Sequence, residues 1–145
     1  MIEQADPVGT TTFTYDTAID ARGVLTATTD SVAGVITAGY DADGRLVRQG
    51  LPGGVVQQNV YDPVGTATAR TYTVGDAVLL EDTVELTVHD QWVRHTGLSE
   101  QQFTLDDLGR IAAVDDVFDG VCTRRTYGFD ANGNRTSASS ATAAP

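Results

Sequence analysis

The sequence predicts an all-β chain of tandem antiparallel β-hairpins in an extended, curved repeat sheet, and three observations predict it. An apolar-Asp-x-x-Gly motif recurs at Ile19-Asp20-Ala21-Arg22-Gly23, Tyr40-Asp41-Ala42-Asp43-Gly44, Tyr61-Asp62-Pro63-Val64-Gly65, Leu105-Asp106-Asp107-Leu108-Gly109 and Phe129-Asp130-Ala131-Asn132-Gly133. Its aspartates are spaced by 21 residues from Asp20 to Asp41, 21 to Asp62, 44 to Asp106 and 24 to Asp130, a period near 22. The intervening segments are short, rich in Thr, Val, Tyr and Phe, and almost without helical periodicity. A fixed period of this size means a repeat architecture, in which one unit cannot bury its own apolar face and must stack on its neighbours.

In chain order, residues 1–12 read as an N-terminal lead-in and residues 13–137 as the repeats, with turns at 20–23, 41–44, 62–65, 106–109 and 130–133. Each motif ends one strand and opens the next at Val24-Leu25, Arg45-Leu46, Thr66-Ala67, Arg110-Ile111 or Asn134-Arg135. Alternation from Thr10 to Tyr15, Thr71 to Val74 and Val84 to His89 predicts half-buried strands with one dry face. A second class of reversal falls between the motifs, at Ala33-Gly34, Leu51-Pro52-Gly53-Gly54, Gly75-Asp76 and Asp119-Gly120, so two reversals per period make a meander.

The motif carries its own turn chemistry. Asp in first place accepts hydrogen bonds from backbone amides two residues on, the middle residues take the type I conformation, and Gly in fourth place adopts the left-handed φ of a G1 bulge. Pro63 suits the second place through its fixed φ. The structural turn residues are therefore Asp20 and Gly23, Asp41 and Gly44, Asp62, Pro63 and Gly65, Asp106 and Gly109, and Asp130 and Gly133. Tyr40, Tyr61 and Phe129, just before their turns, are placed to pack between stacked hairpins.

The pattern breaks over residues 72–99. An even period calls for a turn near Thr83, yet Glu81 to His89 reads as one strand, and the nearest candidate, His89-Asp90-Gln91-Trp92-Val93-Arg94, has Val93 where Gly belongs. Either that hairpin uses another loop geometry or the segment is a longer insertion. Residues 138–145, all Ser, Thr, Ala and Pro, read as a flexible tail.

Composition bounds the function. The 145 residues fit one domain, which at that size can bury roughly 70% of its unfolded surface. A net charge of −11, from 20 acidic against 9 basic residues, opposes a phosphate backbone or an anionic bilayer, so neither nucleic acid nor membrane insertion is expected. The longest apolar run, Ala77-Val78-Leu79-Leu80, is far below the ~20 residues of a spanning helix. No signal peptide opens the sequence at Met1-Ile2-Glu3-Gln4-Ala5-Asp6-Pro7, and the lone Cys122 supports neither an internal disulfide nor a multi-thiolate zinc site.

The tandem apolar-Asp-x-x-Gly-Arg units resemble Rhs repeats, also called YD repeats. The nearest matches are Tyr40-Asp41-Ala42-Asp43-Gly44-Arg45-Leu46 and Tyr127-Gly128-Phe129-Asp130-Ala131-Asn132-Gly133-Asn134-Arg135-Thr136-Ser137. The resemblance implies a strip of hairpins of the kind that spirals into hollow shells in bacterial polymorphic toxins, the C component of insecticidal toxin complexes and teneurins. It further implies a secreted or cell-surface setting, and further repeats or a toxin or cargo domain as partners. The family's Asp-Pro-x-Gly-Leu self-cleavage core is not matched, because Asp62-Pro63-Val64-Gly65 is followed by Thr66 and sits in mid-repeat. No protease residue carries over.

Other constellations have plain readings. The Asp-rich turns lack the further alternate oxygens and distal carboxylate of a calcium loop, Asp115 and Asp116 point to opposite faces, and His89 and His95 lie six apart without a Ser or Cys partner by motif. No catalytic residue, cofactor or metal is expected, and the chain reads as a non-enzymatic structural segment whose terminal edge strands can self-associate. The alternative is an extracellular glycan- or cell-surface-binding module, with Trp92 and Arg94 as its ligand surface.

Overall fold

The computed structural model describes residues 2–143. The chain divides into two compact units, Met1–Leu80 and Glu81–Pro145. The first holds β1 (Ile2–Ala5), β2 (Thr10–Thr14), β3 (Ala27–Asp30), β4 (Gly34–Tyr40), β5 (Leu46–Gly50), β6 (Val55–Tyr61) and β7 (Ala67–Val74), and β8 (Ala77–Leu86) starts in it. The second takes the end of β8 and then β9 (Trp92–Thr96), β10 (Glu100–Leu105), β11 (Ile111–Phe118), β12 (Val121–Phe129) and β13 (Arg135–Ala143).

Within each unit strand order is chain order and every described pairing is antiparallel. The expected all-β meander of hairpins is the observed fold. Register shifts by one residue just before four of the five motif turns, between Gly39 and Tyr40, Val60 and Tyr61, Thr104 and Leu105, and Gly128 and Phe129. The motif Gly supplies that bulge, with φ of +84° at Gly44 and +98° at Gly65.

Burial is shallower than alternating strands with one dry face lead one to expect. Among the described residues only Ala113, Val114, Thr26 and Gln57 are buried, while Val60, Val78, Leu79 and Phe118 are each more than half exposed. Most other strand positions are intermediate, because a single layer of sheet covers side chains only with their neighbours on the same face. Cross-strand polar pairs carry part of the load: Arg124 bridges to Asp115, and Arg125 to Asp116 on the adjacent strand.

Three local expectations change. The lead-in already pairs as β1 and β2, reversed at Asp6, whose carboxylate accepts the Val8 and Gly9 amides. Val24 and Leu25 do not open a strand; β2 and β3 are joined by the long loop 15–26, closed where Thr26 donates its amide to Thr14. Most of the expected tail pairs along β12 as β13, from Arg135 opposite Phe129 onward, because a partner strand supplies the backbone bonds that a Ser/Thr/Ala sequence does not advertise. Residues 144 and 145 of that tail, like residue 1 of the lead-in, lie outside the described residues. Among the described residues no helix is long and apolar enough to cross a membrane.

Candidate functional site

Within each unit, consecutive turns are linked through their side chains. At the second regular turn, Asp41 donates its amide to the Arg45 carbonyl, and Gly44 donates to the Asp41 carbonyl. The Asp41 Oδ1 accepts the amides of Asp43 and Arg45 at 3.0 and 2.9 Å, while its Oδ2 accepts the Arg45 Nε–H at 2.7 Å. Both carboxylate oxygens are thus engaged by the turn itself, which explains why Asp is used where Asn or Ser would satisfy only the backbone.

Arg45 then leaves its own turn. Its Nη1 donates to the Asp62 carbonyl of the next turn at 3.4 Å, and its guanidinium lies 5.2 Å from the centroid of the Tyr61 ring. Tyr61 reaches back, donating its hydroxyl to the Leu46 carbonyl at 2.9 Å. Tyr40 makes the same return bond to Leu25 at 3.0 Å. Consecutive hairpins are therefore clasped in both directions, by a cation over a ring and by a phenol on a backbone carbonyl.

The second unit repeats the arginine half of the clasp, with Phe129 in place of a tyrosine and so no returning hydroxyl. Arg110 is held by Asp106, donates to the Asp130 carbonyl at 3.3 Å and stands 4.6 Å over the Phe129 ring. At the first turn, Arg22 takes the same part from a different position: two places after Asp20 rather than four, it grips that carboxylate and donates to the Ala42 carbonyl at 3.2 Å. The Asp62 turn has its Oδ1 on the Val64, Gly65 and Thr66 amides, with Thr66 in the arginine position. The Asp130 turn uses Asn134, whose Nδ2 donates to Asp130 Oδ2 at 3.0 Å.

The irregular segment contains a turn that the sequence disguises. Thr87 donates to the Gln91 carbonyl and Asp90 to the Thr87 carbonyl, while Thr87 Oγ1 accepts the His89 and Gln91 amides at 3.1 and 3.2 Å. This repeats the backbone and amide bonds of the Asp41 turn, with Thr87 for Asp, Asp90 at φ +59° for Gly and Gln91 for Arg; only the side-chain grip of Arg45 on Asp41 Oδ2 has no counterpart. Gln91 even reaches on, its Nε2 donating to the Gly109 carbonyl at 2.8 Å. The strand read from Glu81 to His89 accordingly ends at Leu86, and Val93 lies inside β9 rather than at a turn. A further reversal, Gly97 to Ser99, also escaped the sequence reading.

The carboxylates of Asp20, Asp41, Asp106 and Asp130 are held below the usual carboxylate range. The Arg22 side chain takes Asp20 from 3.8 down to about 2. The Arg110 backbone amide lowers Asp106 against the cost of desolvation, and the Asn134 side chain lowers Asp130. For Asp41 desolvation is the largest influence and pushes upward, but the Arg45 hydrogen bonds together outweigh it.

Trp92 and Arg94 fall on β9. Trp92, a residue 47% exposed, stacks its ring on His95 at 5.8 Å and meets Phe103 edge-on at 6.2 Å. Arg94 lies between Glu85 and Glu100, so its charge is already answered. His95 bonds through Nε2 to Asp82, and His89 sits in the Thr87 turn. Among the described residues no three His, Cys, Asp or Glu side chains gather to hold a metal.

No protein-family model matches the chain. No curated protein matches it by sequence. Solved structures do. Over 97% of this chain, the Photorhabdus luminescens Tc holotoxin pore with a mutated TccC3 superposes with a TM-score of 0.84 at 16% identity. A TcdB2–TccC3–Cdc42 complex gives 0.78 at 17% identity over 92% of the chain, and a TcdB2–TccC3 complex gives 0.66 at 16% over 92%. The chain spans only 8%, 8% and 9% of those three chains. At such identity the likeness is one of fold: the chain has the run of antiparallel hairpins found in part of those Tc toxin chains.

Proposed function

We propose that this chain is a non-enzymatic structural segment of Rhs type, part of a β-shell that encloses or presents a toxin domain or other cargo. The observation that carries the reading is the clasp from turn to turn: Arg22, Arg45, Gln91 and Arg110 each spend their polar groups on the next turn's backbone. Their chemistry is consumed in holding hairpins in register. The exposed apolar side chains Val60, Leu79 and Phe118 fit a sheet meant to be covered on a face by further protein. Further repeats, another copy or a cargo chain are the partners, pairing at the open edges of β1 and β13. A secreted or cell-surface setting follows from this reading.

Size-exclusion chromatography with light scattering, combined with amide exchange, tests it. Concentration-dependent association with slowed exchange in β1 or β13 is expected. A monomer at all concentrations whose terminal-strand amides are nonetheless protected sinks the proposal.

A second reading, a glycan- or cell-surface-binding module, is supported by the half-exposed residue Trp92. A Trp92→Ala variant that loses binding on a glycan array favours it; unchanged binding removes its basis.

A further inference from the structure

We infer that the second unit carries a binding site for an organic anion with a flat, apolar body, formed on β10 to β13. A concavity of about 620 Å³ opens there, within the roughly 300–1,000 Å³ typical of small-molecule sites. Its walls are the rings of Phe103, Tyr127 and Phe129, and Ile111 and the buried Val114 add aliphatic surface. Gly133, at φ +84° with nothing near its missing side chain, leaves one side open. Rings and aliphatic carbons make up most of this lining and favour a planar apolar ligand over a polyhydroxylated one, which needs acceptors that Arg125 and Arg135 lack and a Gln101 amide already given to Asp116.

The charge of the ligand follows from how the arginines are used. Arg94, Arg110, Arg124 and Arg125 of this unit each hold a carboxylate. Arg135 forms no ion pair among the described residues; it lines the concavity with its guanidinium 5.9 Å from the Tyr127 centroid. In a chain of net charge −11, the one arginine of this unit that no carboxylate holds among the described residues stands beside aromatic rings, an arrangement that favours an anion. Arg125 also lines the site, but Asp116 takes its Nη2 and also accepts from Gln101. Its Nε has no acceptor, and Asp116 Oδ1 has no donor, so this pair leaves the site near neutral and Arg135 sets its sign. Arg135 places the anionic group; the three rings hold the body.

Titration of the full chain with 2-naphthoate and its neutral counterpart 2-naphthalenemethanol, followed by amide chemical shifts and calorimetry, tests this. Naphthoate binds more tightly, with shifts centred on residues 101–103 and 125–135. Arg135→Gln weakens naphthoate by about tenfold, the loss of one charge-assisted contact, and leaves the alcohol unchanged. Ile111→Glu, at a position 39% exposed, puts a carboxylate at the pocket and abolishes naphthoate binding only. Both side chains are accessible, and an unchanged spectrum elsewhere confirms each fold. Equal affinity for the two probes, or naphthoate affinity untouched by Arg135→Gln, or shifts centred elsewhere, overturns the assignment.

Discussion

Arg45 of one turn lies over the ring of Tyr61 at the next, and Tyr61 returns its hydroxyl to the carbonyl of Leu46, the residue directly after Arg45. The two bonds run in opposite directions between the same pair of hairpins. A sheet of one layer has little core to fix the spacing of its hairpins, so this exchange at the turn end does what interior packing does in a sandwich.

The clasp predicts an asymmetric pair of variants. Tyr61→Phe keeps the ring under Arg45 and removes only the bond to Leu46, costing about 1 kcal/mol in urea unfolding. Arg45→Met removes the grip on Asp41, the donor to Asp62 and the charge over the ring together, and lowers the midpoint further than Tyr61→Phe. A smaller effect for Arg45→Met, or a double variant whose cost is the plain sum of the two, shows that the residues act separately.

Left-handed positions give a pair of opposite sign. Gly44→Val forces a β-branched residue to φ near +84° and costs about 1–2 kcal/mol. Asp90 already sits at φ +59° in the equivalent place, so Asp90→Gly relieves strain and stabilises by up to about 1 kcal/mol. Thermal unfolding of both variants checks the equivalence of the two turns; destabilisation by Asp90→Gly contradicts it.

That equivalence shows what the sequence hid. The repeats with Asp and Gly were legible because turn chemistry is local and selects residue types at fixed offsets. The Thr87 turn was not, because a hydroxyl can replace a carboxylate as acceptor and Asp tolerates the left-handed region, so geometry persists while the letters change. The arginine after the Gly was visible as a letter. Its role was not, since Arg45 and Asp62 meet only when adjacent hairpins stack. Nor could β13 be read, as a strand of Ser, Thr and Ala is made by its partner β12 rather than by its own pattern.

Gly109 differs from Gly44 in what faces it. A methyl group built on Gly109 meets Gln91 Nε2 at 2.3 Å, whereas at Gly44 the nearest atom, on Arg22, is 3.5 Å away. Gly109→Ala therefore adds to the left-handed penalty the loss of the Gln91 bond to its carbonyl, roughly 0.5–1.5 kcal/mol beyond Gly44→Ala. Combining it with Gln91→Ala cancels that excess. Equal costs for the two alanine variants, measured by chemical denaturation, argue that Gln91 contributes nothing to the turn.

Acid should loosen the turns through a defined set of groups. Asp20, lowered from 3.8 to about 2 by the Arg22 side chain, binds a proton more readily in the unfolded chain than in the folded one. Asp106 and Asp130 are lowered by the Arg110 amide and the Asn134 side chain. A depressed carboxylate contributes its full stability above the unfolded value and loses it as pH falls through the folded one. Thermal stability is then insensitive to these groups above about pH 5 and declines from about pH 4 toward pH 2. Asp20→Asn, which has no charge to lose, makes the first unit less stable at pH 7 and flattens its decline in that window. A circular-dichroism melting series across the range reads both effects. If the variant and the parent lose stability with the same slope between pH 4 and pH 2, the Asp20–Arg22 grip is not part of what holds the first turn.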